Sequence, residues 1–273
     1  METGNNYNKE PLEDLKLILY IDQDSFSYSI FNKKKNSFLV VKNYSIENYN
    51  FNTIKNIIES DSYLNKMKSY KTLCVIDSYA STFIPTPLFD KSNIDNYINI
   101  VSEKDKAYQT KYVKQQFSES YLIFKLKKDL LELIEKNFQL ISLKSTASLI
   151  VDYALSLQQL KDNLLLVQVN KSNFHITLIQ NGQFIFYNKF HFDTHEDFVY
   201  YLMYCLHTLS IPIKNRIILV MSNINKEDIL FKKIKKYTQI SFIQRPEKFI
   251  YENNIIIKES HKHHNLISQI ICE

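Results

Sequence analysis

Glycine is nearly missing from this 273-residue chain, which carries two, Gly4 and Gly182, where an average composition of about 7% would supply about 19. Loops that wrap phosphate in bare backbone N–H groups need glycine at their closest approach, so the composition disfavours glycine-rich phosphate cradles. Arginine occurs only at 216 and 245, although Lys and Arg together number 34 against 29 acidic residues, for a net charge of +5. Bidentate readout of guanine or phosphate leans on arginine, and a lysine excess spread over a solvated surface does not make a sequence-specific nucleic-acid reader. The three cysteines, Cys74, Cys205 and Cys272, are odd in number and lack a C-x-x-C pair, which fits buried thiols in a reducing compartment. No run of about 18 uncharged apolar residues occurs, and the N-terminal METGNNYNKEPLEDLK has no apolar signal core. The expectation is a cytoplasmic protein without membrane insertion.

What is present is a globular composition, 45% hydrophobic and 23% charged, over a length that suggests about two domains. The first 12 residues are polar and read as a disordered tail. Leu17 to Asp22 is an apolar run, Phe26, Tyr28 and Ile30 alternate, and Phe38 to Tyr44 is β-branched and aromatic, so three strands are predicted. Asn52 is placed to cap a helix carrying Ile54, Ile57, Ile58 and Leu64, and Thr72 to Asp77 then suits a buried strand.

The second half repeats this order. Leu164 to Asn170 is apolar, Phe174, Ile176 and Leu178 alternate, and Asn181-Gly182 is a strong hairpin signal leading to Gln183–Phe190. Thr194 caps a helix with Asp197 three residues on, and Pro212 stops it. Arg216 to Met221 is read as the next strand, and Asn225 as the start of a helix with Asp228 at its third position. Phe26 and Phe174 are 148 residues apart, Phe38 and Phe184 146, and Leu73 and Ile217 144, a nearly constant offset that implies a duplicated unit. Strand, strand, strand, helix, strand is the opening of the ribonuclease H-like layout, and two such units in tandem describe an actin-like body. The predicted fold class is therefore α/β, a duplicated ribonuclease H-like (actin-like ATPase) fold with two domains around a cleft. The first domain spans 13–161 and includes Tyr121–Phe124, a helix Leu126–Lys136, Leu140–Leu143 and a helix Ser145–Leu157. The second spans 162–250, and 251–273, with Ile255–Ile257 and Leu266–Ile271, packs back on the body.

The stretch SYLIFKLKKDLLELIEKNFQLISLKSTASLI resembles the end of the first domain in actin-like proteins of type IV pilus assembly and cell division. Over nearly its whole length, most clearly in FIPTPLFD, GQFIFYNKF, THEDFVYYLMYCL and HNLISQIICE, the chain resembles an uncharacterised bacterial family, domain of unknown function 3822. That family brings no assigned activity. The wider resemblance implies two nucleotide-binding hairpin loops that open with Asp, Gly and a small hydroxyl residue, and a paired glycine beside adenosine. Here the first loop is Ile21-Asp22-Gln23-Asp24-Ser25, in which Asp22 and Ser25 match and Asp24 stands where the glycine would be. In the second, Val169-Asn170-Lys171-Ser172-Asn173, Asn170 replaces the Asp and Ser172 the glycine, while the adenosine segment reads Val220-Met221-Ser222-Asn223. A carboxylate in place of glycine repels phosphate, and Lys171 reads as a solvated turn lysine. The expectation is degenerate loops, no cofactor and no ATP hydrolysis.

Two alternatives stand beside this reading: a divergent ATP-binding switch, and an enzyme, a metal-dependent ribonuclease H-like nuclease using Asp22, Glu59 and Asp77, or Asp24 in place of Asp22. The nuclease needs Asp22 and Asp77 within about 4 to 6 Å of each other to share two ions. His261, His263, His264 and Cys272 offer zinc-type ligands but lack paired spacing, and a solvated histidine tail is expected instead. His175, His191, His195 and His207 are scattered, and Ser25 and Ser222 lie in no G-x-S-x-G elbow. Cys205 shares an apolar helix face, and Tyr200, Tyr201 and Tyr204 read as half-buried core aromatics, with partner contact as the alternative. The segment from about 85 to 118 is the least repeat-like, with Thr86 as a cap, Pro87 at the first helical position, and a polar continuation read as solvated loop and helix. The actin-like resemblance makes this insertion a surface for a protein or peptide partner. The functional expectation is a non-catalytic scaffold or interaction module.

Overall fold

The computed structural model describes residues 14–157, 164–211, 218–222, 224–252 and 260–273. The expected tail over 1–12, the start of the strand at Arg216, Asn223 and the run Ile255–Ile257 lie outside the described residues.

Strands β1 (Leu15–Ile21), β2 (Ser25–Asn32) and β3 (Ser37–Ser45) form an antiparallel meander. Helices α1 (Phe51–Ser60) and α2 (Ser62–Met67) then lead to β4 (Lys71–Ile76), which returns parallel to β1. An excursion follows: β5 (Ala80–Pro85), α3 (Ile94–Asn99), β6 (Tyr108–Lys114) and β7 (Ser120–Lys127), in a separate sheet of order β5-β7-β6. Helix α4 (Lys128–Asn137), β8 (Gln139–Ser145) parallel to β4, and α5 (Thr146–Ser156) complete the first half. The second half runs β9 (Leu164–Val169), β10 (Asn173–Gln180), β11 (Gln183–His191), α6 (His195–Thr208), β12 (Ile218–Ser222), α7 (Ile229–Ile234) and β13 (Ile240–Phe242). Strand β14 (Ile250–Tyr251) crosses back to pair with β3, and α8 (His264–Ile271) closes the chain.

The duplication is visible in the ladders. The order β3-β2-β1-β4-β8 of the first sheet is matched by β11-β10-β9-β12-β13 of the second. Ile21 pairs with Phe26 as Val169 pairs with Phe174, and Leu17 with Thr72 as Leu165 with Ile218. Alternation assigns the two faces of each inner strand. Leu17, Leu19 and Ile21 pack against α1, α2 and α4, while Ile18 and Tyr20 face a layer shared with Leu164 and Leu166 of β9. Leu165, Val167 and Val169 turn the other way, toward α6 and α7. Burial on both faces explains why β1 and β9 read as continuous apolar runs. The shared layer is filled by α5, whose residues 146–155 are all buried, and by α8.

Several local expectations are corrected. Asn50, not Asn52, caps α1, its side chain accepting from the N–H of Thr53. Thr86 makes no side-chain cap, and Thr86–Leu88 is a single 3-10 turn. The insertion is not loop and helix alone, because Tyr108–Lys114 pairs with β7; its polar residues belong to an edge strand with one wet face. The helix expected from Leu126 begins at Lys128, the preceding residues completing β7. Asp228 is the residue before α7 rather than its third position, and its carboxylate accepts from the N–H of Asn225 at 2.7 Å.

Candidate functional site

The tips of the β1–β2 and β9–β10 hairpins are built alike, residue for residue. The N–H of Asp22 donates to the Ser25 carbonyl at 2.9 Å, and that of Asn170 to the Asn173 carbonyl at 2.8 Å. Asp22 Oδ2 accepts from Ser25 Oγ at 2.9 Å, and Asn170 Nδ2 donates to Asn173 Oδ1 at 3.0 Å. Asp22 Oδ1 also accepts the N–H of Asp24 at 2.8 Å. An N–H that a phosphate oxygen would need is thereby consumed inside the loop. Across the gap Ser172 Oγ stands 3.5 Å from Asp24 Oδ2, so the two residues at the former glycine positions face each other.

A cavity of about 650 Å³ lies between the tips, lined among others by Asp22, Asp24, Asn170, Lys171, Glu227 and Asp228. Acidic side chains outnumber basic ones on this lining, and Lys171 is exposed. Burial lifts the Asp22 carboxyl to about 6, against the hydrogen bonds from Asp24 and Ser25 and with a further push from the Asp77 charge. Behind the tips the C-terminal segment closes in: a residual space of about 20 Å³ is bordered by Tyr20, Gln168, His263 and Asn265. Gln168 Nε2 donates to Tyr20 Oη at 2.7 Å and Gln269 Nε2 to the Leu19 carbonyl at 2.9 Å, tying both halves and α8 together. Met221 and Ser222 end β12, parallel to Gln168 and Val169.

Asp77, just after β4, sits at the junction of the two halves, where Lys189 Nζ of β11 donates to its Oδ2 at 2.7 Å and to the Ser78 carbonyl at 3.2 Å. His175 Nε2 of β10 lies 3.4 Å from Asp77 Oδ1, and its Nδ1 is 2.8 Å from Tyr187 Oη. Burial pushes His175 down to about 4, Asp77 acting upward and Lys189 downward, so the ring is neutral at pH 7. This cluster was not legible in the sequence; a Lys on an exposed-looking hairpin strand carries no signal that it reaches a buried carboxylate. A second unforeseen centre is Asp61 between α1 and α2. It accepts from Tyr28 Oη at 2.9 Å, Lys42 Nζ at 3.1 Å, Tyr44 Oη, and the N–H groups of Tyr63 and Leu64.

The other candidates disperse. Glu59 is exposed on α1 beside Lys55 at 3.9 Å, whereas Asp22 and Asp77 are buried. Among the described residues no three His, Cys, Asp or Glu side chains are grouped to hold a metal ion. The histidine tail is not simply solvated. His264 is fully buried edge-on to Tyr153 at 4.4 Å, His261 stacks on Phe242 at 4.2 Å, and Cys272 is buried. Cys205 packs in the core, burial raising its thiol to about 11. Tyr201 stacks on Phe190, but Tyr200 and Tyr204 are exposed, because the α6 face they share turns away from β10 and β11. His195 and His191 are exposed.

A family model described as "Protein of unknown function (DUF3822)" matches residues 4–240. Among solved structures, the chain is similar to a Bacteroides thetaiotaomicron VPI-5482 protein described as having an actin-like ATPase fold and unknown function. The TM-score is 0.79 at 19% identity, covering 99% of this chain and 100% of that one. It is also similar to a chain of the PilM-PilN type IV pilus biogenesis complex, with TM-score 0.63 and 7% identity over 95% of this chain and 97% of that one. No curated protein matches. These likenesses establish an actin-like ATPase fold. No helix among the described residues is long and apolar enough to cross a membrane.

Proposed function

From the premise that the chain belongs to the family described as Protein of unknown function (DUF3822), with an actin-like ATPase fold, we propose that it is a non-catalytic scaffold binding a protein or peptide partner. The observation that carries this reading is the pair of self-closed hairpin tips. Asp22 caps its own loop, Asp24 and Ser172 stand at the two glycine positions, and acidic side chains dominate the space between. A nucleotide triphosphate entering there meets like charge, which disfavours it by several kcal/mol where water is displaced, on the order expected for an unpaired charge pair in a partly buried site. The similarity to a chain of the PilM-PilN complex supports a partner-binding role for the same body plan. We place the protein in the cytoplasm.

A divergent nucleotide-binding switch is the second reading, favoured by the cavity of about 650 Å³ that persists between the tips. Affinity purification of the tagged full chain from native cells, with and without Mg-ATP, separates the two. The scaffold reading expects a reproducible partner recovered equally in both conditions. Loss or gain of that partner with Mg-ATP contradicts it in favour of the switch, and no reproducible partner contradicts both.

A further inference from the structure

A cavity of about 1020 Å³, larger than the one between the hairpin tips, lies between β5 of the insertion and β11 of the second sheet. Both strands are edges: β5 ends the sheet β5-β7-β6, β11 ends the sheet β11-β10-β9-β12-β13, and no ladder joins them. The pairing parity fixes which backbone groups face the gap. The N–H of Thr86 donates to the Glu119 carbonyl at 2.9 Å, so, counting in twos along an antiparallel ladder, Ile84, Thr82 and Ala80 bond to β7. The N–H and C=O of Ser81 and Phe83 then point out of the sheet. On the other side the N–H of Phe192 donates to the Ser172 carbonyl at 3.0 Å, so Phe190, Asn188 and Phe186 bond to β10. Tyr187, Lys189 and His191 therefore turn their N–H and C=O outward. All five outward residues line the cavity.

Exposed strand edges of this length are ordinarily blunted by proline, bulges or inward charge. The β5 edge carries Pro85 at its end, and β11 a bulge at Ile185 and the inward charge of Lys189, while Ser81, Phe83 and Tyr187 between them carry no such device. The floor is aromatic: the Phe83 ring lies 4.7 Å from Phe184 and 5.5 Å from Tyr187. At the rim Ile185, Val101 and Phe117 are exposed apolar side chains. Charge on the lining is small, since Lys189 is held by Asp77 and Glu119 stands exposed at the turn.

We propose that an extended peptide segment of a partner protein adds as a strand in this cleft, its backbone bonding to the outward groups of β5, β11 or both, and its alternate apolar side chains resting on Phe83 and Phe184. The occupant is an apolar-alternating segment: the lining offers backbone donors and acceptors in two rows and an aromatic floor, its lysine is held by Asp77, and its carboxylate, Glu119, stands past the end of β5. The cleft runs along β5, of 6 residues, and β11, of 9 residues, so a strand of ordinary length, about 5–6 residues, spans it. This inference rests on the partner-binding reading above and names the place and mode of that binding.

The probe is a phage-displayed library of random 12-residue peptides selected on the full chain, with enriched sequences synthesised and titrated by fluorescence anisotropy. N-methylation of single peptide amides is then scanned along the best binder, and amide hydrogen exchange of the protein is measured with and without it. Strand addition expects at least tenfold weaker binding when alternate amides are methylated and little change at the amides between them. It also expects new exchange protection at residues 81, 83, 187, 189 or 191. Ser81→Pro, which removes an outward N–H and no ladder bond, should weaken binding at least tenfold, and Ser81→Ala, which loses only the hydroxyl bonded to Tyr187, should weaken it far less. Enriched peptides whose binding shows no alternation, or which protect another surface, overturn this inference while leaving the scaffold reading standing. No enriched peptide at all likewise overturns this inference, and the scaffold reading then stands or falls by the affinity purification.

Discussion

Lys189→Met tests the physical link between the two halves. The Asp77 side chain is fully buried, and among the described residues its cationic partner is Lys189 Nζ at 2.7 Å, with a neutral His175 at 3.4 Å. Methionine keeps the volume of the lysine stem and removes the charge, leaving a carboxylate in the interior. Removing one partner of a buried ion pair costs about 3–5 kcal/mol, a large share of a domain's total of about 5–15 kcal/mol. Asp77→Asn is the converse and is milder, about 1–2 kcal/mol, because the Lys189 side chain is 16% exposed and its ammonium can swing into the adjoining cleft. The double variant strands neither charge, so it should lose less than the sum of the two singles by at least about 1.5 kcal/mol. The assay is equilibrium urea unfolding followed by far-ultraviolet circular dichroism, with tyrosine emission as a second probe in a chain that has 19 Tyr and no Trp. A Lys189→Met cost under about 1 kcal/mol, or singles that add within about 0.5 kcal/mol, would refute the buried tie.

His264 gives a pH prediction. Burial drives its ring down to about 3, below the ordinary 6.5, so the unfolded chain binds a proton that the folded chain refuses. Its contribution to stability is whole above about pH 6.5 and declines as pH falls toward 3, at about 1.4 kcal/mol per pH unit. His264→Phe keeps the ring against Tyr153 and should flatten the loss between pH 6 and 4 by that slope; parallel urea midpoints in both proteins would contradict it. Asp22, raised to about 6 by burial, works in the opposite direction, so Asp22→Asn should steepen acid loss over the same window in the same assay. Asp61→Ala removes the acceptor of two tyrosine hydroxyls, an ammonium and two helix N–H groups, and should cost about 3 kcal/mol in urea unfolding, with Asp61→Asn recovering part.

The duplicated layout was readable because both units bury their central strands on two faces, so β1 and β9 announce themselves as apolar runs at a fixed offset. The hairpin tips were readable too, since Asp22, Ser25, Asn170 and Asn173 bond within three residues of one another and local geometry follows local sequence. What escaped was set by distant partners. The Asp77–Lys189 tie spans 112 residues and the burial of His264 depends on α5, neither of which leaves a periodicity to detect. Tyr108–Lys114 reads as a polar loop because an edge strand with one wet face carries few apolar positions. Tyr200 and Tyr204 were misjudged because aromatic character marks burial on average, while the rotation of α6 about its axis is fixed by Phe198, Leu202, Cys205 and Leu206.

Whether the space between the hairpin tips takes nucleotide is decided by a thermal melt of the full chain with and without about 1 mM Mg-ATP. A site with a dissociation constant of about 10 µM would add about 2.7 kcal/mol, which for a chain of this size raises the melting temperature by about 5–10 °C. Tips closed to nucleotide give a shift under about 1 °C, and equally little with Mg-ADP. A rise of about 5 °C or more that disappears in Asp22→Ala would contradict it.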